Sequence, residues 1–184
     1  MLLGSFKNSN RVSGNITSRS SGAADAARLT PALCVLMNVT ITHKIMASAT
    51  EFVIQGEDVD YFLRIHPMEY SGVLLDGEGD RIGEFKRKPF SLGKFDILVG
   101  EKEYSLRVNL ISTTLVSLAS GVTYRCRFSR SFKDALTKQI VTMLELVGLH
   151  MGCFYQHRLL VKDPRHAIAL LLATCIQIHL ESLG

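Results

Sequence analysis

The stretch Asp163 to Gly184, reading DPRHAIALLLATCIQIHLESLG, constrains the fold more than any other part of the chain. Asp163 is a good helix N-cap, and Pro164 suits the first helical position, where its missing N–H costs nothing. From His166 to Leu180 there are 15 residues without a formal charge. Ile168, Leu170, Leu171, Leu172, Ile176, Ile178 and Leu180 leave no polar face. A helix that is apolar all round must be buried, in lipid or in protein. A bilayer span needs about 17–25 apolar residues. This run is shorter, and His166, Gln177 and His179 interrupt it, so a core helix at about 164–182 is the prediction. Seven large aliphatic side chains at about 1.5–3 kcal/mol each represent roughly 10–20 kcal/mol of gross burial. Such a helix can hold a domain together if something surrounds it.

The rest of the chain supplies candidate walls. Of its 184 residues 47% are hydrophobic, enough for one domain with a tail. The net charge of +4 is unevenly placed: residues 1–36 carry Lys7, Arg11, Arg19 and Arg28 against Asp25 alone, so the body from Met37 is nearly neutral. That balance argues against a general nucleic-acid binder. Cys34, Cys126, Cys153 and Cys175 are widely spaced, form no C-x-x-C pair, and mostly sit among apolar residues. They read as reduced, buried thiols, which favours a cytoplasmic protein, peripheral at most to a membrane. Residues 1–36 are serine-rich, poor in acids and without apolar period, as in a transit peptide, a disordered tail or sequence ahead of the true start. The folded domain is expected to span 37–184. The sequons at Asn15 and Asn38 carry little weight without a secretory signal.

From Met37 the hydrophobic period becomes two. Val39 and Ile41 open a strand that reaches Lys44–Ile45, and Glu51–Gln55 follows. Tyr61, Leu63 and Ile65 come after the turn Gly56-Glu57-Asp58. Val73–Leu75 runs into Asp76-Gly77-Glu78-Gly79-Asp80, a strong hairpin signal, and Arg81–Lys88 returns from it. Lys94–Val99, then Tyr104, Leu106, Val108 and Leu110, and then Val122, Tyr124, Cys126 and Phe128 continue the alternation. Between Phe132 and Gly148 helical and extended patterns compete; strands after a short helical turn are the reading adopted. Cys153–Tyr155 and Arg158–Lys162 look extended. The whole describes an antiparallel meander able to close as a barrel or sandwich.

Several segments of this body resemble the tubby C-terminal-like superfamily, in its LURP-one-related and phospholipid-scramblase-like branch. They are MNVTITHKI, ATEFVIQGEDVDYFLRI, GVLLDGEGDRIGEFKRKPFSLGKFDILVGEKEYSLRV and LLVKDPRHAIALLLATCIQIHL. Asp76-Gly77, Lys86-Arg87-Lys88 and Ser91-Leu92 occupy the places of the family's turn, basic residue and S-L. The likeness covers about four fifths of the chain. It implies a mainly β fold: a closed antiparallel β-barrel of about twelve strands around the buried C-terminal helix. The region Ser117–His157 departs most, lacking a glycine turn where a second repeat would have one.

Chemistry is sparse. Asp76, Glu78 and Asp80 alternate, but an EF-hand loop starting at Asp76 would need an acid where Arg87 stands. Gly77, Gly79 and Gly83 miss the dinucleotide fingerprint. The histidines form no H-E-x-x-H or i, i+4 pair, and no nucleophile elbow or phosphate loop is present. No catalytic residue, metal or cofactor is therefore expected, and the chain reads as a non-enzyme. Two basic groups remain: Lys86, Arg87 and Lys88, and Arg125 with Arg127, near Arg130 and Lys133. Solvated barrel surface is the plain reading of both. Convergence on an anionic phospholipid head group is the functional one, and the superfamily's phosphoinositide and membrane associations point the same way. The alternatives are a structural or regulatory module that binds a protein partner, and a scramblase-like protein anchored by its last helix. Deleting residues 1–36 is expected to leave the thermal midpoint unchanged by calorimetry; unfolding of the truncated chain would move the boundary from Met37.

Overall fold

The computed structural model describes residues 37–45, 49–66, 68–91, 93–127, 131–150 and 154–183. The segment 1–36 with Cys34, together with Phe128, Arg130 and Cys153, lies outside them. The first half contributes β1 (Met37–Ile45), β2 (Thr50–Gly56), β3 (Asp60–His66), β4 (Ser71–Asp76), β5 (Arg81–Arg87) and β6 (Lys94–Val99). The second contributes β7 (Lys102–Asn109), β8 (Ser112–Ser117), β9 (Thr123–Arg127), β10 (Lys133–Asp134), β11 (Thr142–His150) and β12 (Phe154–Val161). A 3-10 turn, Pro164–His166, leads into α1 (Ala167–Ser182). The twelve strands form one sheet in the order β10-β9-β8-β7-β6-β5-β4-β3-β2-β1-β12-β11, every neighbouring pair antiparallel.

The two ends of this sheet nearly meet, which makes it a nearly closed barrel. The Phe132 carbonyl accepts from the amides of Val141 (2.9 Å) and Thr142 (3.3 Å). The Phe132 amide donates to Thr142 Oγ1 at 2.8 Å, and Lys133 bridges Ile140. The turn between them is the short helical one expected: Lys138 N donates to the Asp134 carbonyl, and Asp134 Oδ1 accepts from Leu136 N and Thr137 N. Lys138 takes φ 62°, the left-handed conformation that a glycine would normally supply.

Barrels of about eight strands are filled by their own side chains, whereas larger ones keep a lumen. Here α1 fills it. Ala169 to Ile176, with Ile178 and His179, are buried on every side of the helix. They meet Val39, Ile41, Phe52, Ile54, Leu63, Ile65, Leu74, Phe95, Ile97, Leu106, Leu115 and Leu159, which project inward from the strands. Two glycines make room for this packing. A Cβ on Gly83 would lie 3.1 Å from Leu172 Cδ1, and one on Gly72 would lie 2.5 Å from the Phe85 ring. The helix entrance is held by polar contacts. Tyr124 Oη donates to Asp163 Oδ2 at 2.8 Å, Tyr104 Oη lies 3.0 Å from His166 Nδ1, and Asp163 Oδ1 accepts from Arg165 N as the N-cap. Burial alone would raise the Asp163 carboxyl, yet bonds from Arg165 and Tyr124 hold it below its ordinary value.

Two strand assignments differ from the sequence reading. Ser112–Ser117 is a full strand whose inward positions Thr113 and Ser117 are polar but buried. Leu110 is no strand residue: with Ile111 it forms the exposed tip of the β7–β8 hairpin. Leu172→Asp is expected to abolish folding, because a charge in this lumen has no partner. Leu172→Ala should cost about 2–5 kcal/mol in denaturant unfolding. Gly72→Ala should cost about 1–3 kcal/mol through the Phe85 ring. A cooperatively folded Leu172→Asp chain would mean that α1 is not the core.

Candidate functional site

Antiparallel alternation decides where the basic residues point. On β5 the inward Gly83 and Phe85 send Lys86 to the outer wall, opposite Ser71 on one side and Asp96 on the other. Lys88 pairs with Asp96 at 2.9 Å. Arg87 has the opposite face, and its guanidinium lies 4.3 Å from the centre of the Tyr70 ring. Tyr70 sits at φ 46° in the β3–β4 connection and meets His179 edge-on, with ring centroids 6.3 Å apart. Arg125 and Arg127 share the exposed face of β9.

The two groups do not form one compact pocket. Three strands separate β5 from β9, which at about 4.8 Å per strand is roughly 19 Å. Lys94 and Arg107, each lone in the sequence, fill the gap. Lys94 is opposite Arg107, Arg107 opposite Thr114, Thr114 opposite Arg125, and Arg125 opposite Lys133. Lys94, Arg107, Arg125 and Lys133 are all exposed. Lys88 extends the row, its amide donating to the Lys94 carbonyl at 2.8 Å. The result is a band of cations across the outer wall from β5 to β10. Among the described residues its one ion-paired member is Lys88.

The band runs beside the end of the barrel where α1 terminates. The β5–β6 connection and the β7–β8 hairpin project there. Phe90, at φ 58°, and Leu110 are fully exposed, and Ile111 is 61% exposed. Arg127, opposite Ser112, flanks the hairpin tip. A polar turn residue would serve better at a solvated tip, so Leu110 and Ile111 need another reason to be there. Behind them opens a cavity of about 1210 Å³, lined by Phe90, Arg107, Leu110, Ile111, Gln177 and Leu180 among others. The mouth therefore joins apolar protrusions to a band of positive charge. Register, which single-residue patterning does not encode, is the signal that would have added Lys94 and Arg107 to the sequence-derived set.

Asp76 does not offer a calcium site, because its Oδ1 accepts from the amides of Glu78 (3.1 Å) and Asp80 (2.8 Å) and so closes the hairpin. Among the described residues no three His, Cys, Asp or Glu side chains are grouped to hold a metal ion. No helix among them is long and apolar enough to cross a membrane. Comparison of the chain with protein-family models, curated proteins and solved structures returned no match.

Proposed function

We propose that this chain is a non-enzymatic, tubby-like barrel of the LURP-one-related and scramblase-like kind that docks its open mouth on anionic membrane surfaces. The observation that carries this reading is the adjacency of Phe90, Leu110 and Ile111 to the band Lys94, Arg107, Arg125 and Lys133, whose cations have no ion-pair partner among the described residues. Each cation near an anionic leaflet contributes about 1 kcal/mol. Each apolar tip that enters the interface contributes up to about 1.5–3 kcal/mol. Neither contribution alone gives firm binding, and together they suffice for reversible docking. Arg87, held over Tyr70, and Lys88, held by Asp96, are placed to support the surface more than to grip a head group. The band offers charge at strand spacing on a broad wall, which suits a field of head groups better than one enclosed phosphate. The anchored-helix alternative would have to withdraw α1 from the lumen it fills.

Liposome co-sedimentation tests this. The chain should pellet with phosphatidylserine-rich vesicles and stay in solution with phosphatidylcholine, with binding weakening as salt rises. Arg107→Glu combined with Arg125→Glu should remove about 2–4 kcal/mol of binding. Leu110→Asp with Ile111→Asp should remove most of the remainder. Equal binding to neutral and anionic vesicles, or no loss in the Arg107/Arg125 variant, rejects the lipid reading. A partner captured through the same band without vesicle binding would move the assignment to a protein-interaction module.

A further inference from the structure

Three histidines from three elements meet beneath the same mouth. His43 on β1, opposite Tyr155, and His157 on β12, opposite Ile41, are diagonal neighbours that stack with ring centroids 5.6 Å apart and planes 15° apart. Phe52 and Tyr155 extend the stack on His43 at 5.4 and 5.0 Å. His179 enters from the last turn of α1. His43 and His179 are each 2% exposed, and neither ring nitrogen of either has a hydrogen-bond partner among the described residues. A cavity of about 290 Å³ adjoins His43 and His157, lined also by Leu146, Tyr155, Ile178, Glu181 and Ser182.

We propose that His43, His157 and His179 form an acid-released latch: while neutral, the three imidazoles pack as apolar rings and keep the final turn of α1 in the lumen, and their protonation frees that turn. The physical reason is the poverty of the surroundings. From β2 the neighbour is Phe52, from β11 Leu146, from β12 Tyr155, and from the β3–β4 connection Tyr70 with the Arg87 cation over it. Among the described residues Glu181 is the carboxylate lining the cavity, and it is exposed at the helix end, so it cannot offset new charges on both His43 and His179. Burial, reinforced by the neighbouring imidazole, pushes His43 down to about 4, and burial with His43 nearby does the same to His179. Both groups therefore bind protons more weakly in the closed barrel than when exposed at an ordinary value near 6.5. The closed form keeps its full advantage above that value and loses it as pH falls from about 6.5 to about 4.

Gln177, just before this turn, and Leu180, within it, line the large mouth cavity. Acid release of the turn would widen that cavity and expose Ile178. This consequence for docking rests on the lipid reading above; the latch itself does not.

The test uses the full chain without lipid. Hydrogen exchange at the amides of residues 178–183, corrected for intrinsic rates, should report an opening equilibrium that rises roughly 10- to 30-fold for each of His43 and His179 between pH 7.5 and pH 5. His43→Phe fits the aromatic stack and should cut that rise by about one such factor. Opening that is independent of pH, or an unchanged rise in His43→Phe, overturns the latch. Should the variant fail to fold, proton titration of the wild-type imidazoles by NMR decides: His43 and His179 titrating near 6.5 in the folded chain overturn it, and values well below that support it. Vesicle binding at the two pH values then reads the lipid proposal separately, since the exchange result stands whether or not vesicles bind.

Discussion

A twelve-stranded antiparallel sheet that curls on itself encloses more space than its own side chains can fill, and the rest of this molecule follows from how that space is occupied. An α-helix with side chains is about 10–12 Å across. That is the right scale for the gap, provided it has no polar face to hydrate. The unbroken apolar circumference of α1, which out of context suggests lipid, is what a lumen demands. The inward glycines Gly72 and Gly83 are the complementary concession on the wall. Their missing side chains let Phe85 and Leu172 lie close to the sheet, so the packing is specified at both partners.

Filling the lumen from one end also gives the two barrel ends different characters. At the entrance of α1, Tyr124, Asp163, Tyr104 and His166 form a bonded set that fixes the helix start. At its exit the imidazoles of His43 and His179 make no comparable bonds among the described residues, and the wall there carries exposed apolar tips and cations. Stability is therefore concentrated at one end. The other end is left open to the solvent and to whatever the mouth meets, the pattern expected where binding surfaces are drawn from the less stable part of a fold.

Much of this architecture was legible in the sequence, because the period-two runs and the uncharged helix are dictated by burial on one face or on all. The parts that were not legible have definable causes. Strand β8 hides because Thr113 and Ser117 occupy inward positions, so apolar alternation falls to Leu115 alone. The turn after β10 hides because Lys138 adopts a left-handed conformation without advertising it by a glycine. The candidate site was half visible: Lys86, Arg87, Lys88, Arg125 and Arg127 stand out as local clusters. Lys94 and Arg107 matter only because hairpin register places them in one row with Arg125. Local composition carries no record of that alignment.

The place of β1 has a consequence for how the protein is made. It lies between β2 and β12, so the first strand of the domain finds its second neighbour only in the last strand before the helix. Every rung from Met37–Val161 to Lys44–Phe154 joins residues more than a hundred positions apart. On a ribosome, the ten strands β1 to β10 must wait as an open, curved sheet with a bare apolar concavity, and β11 without its sheet partner, until β12 and α1 emerge. The barrel can then close around its filler in a single late event. Nascent chains stalled before Phe154 should accordingly depend on chaperone cover, whereas completed ones should not.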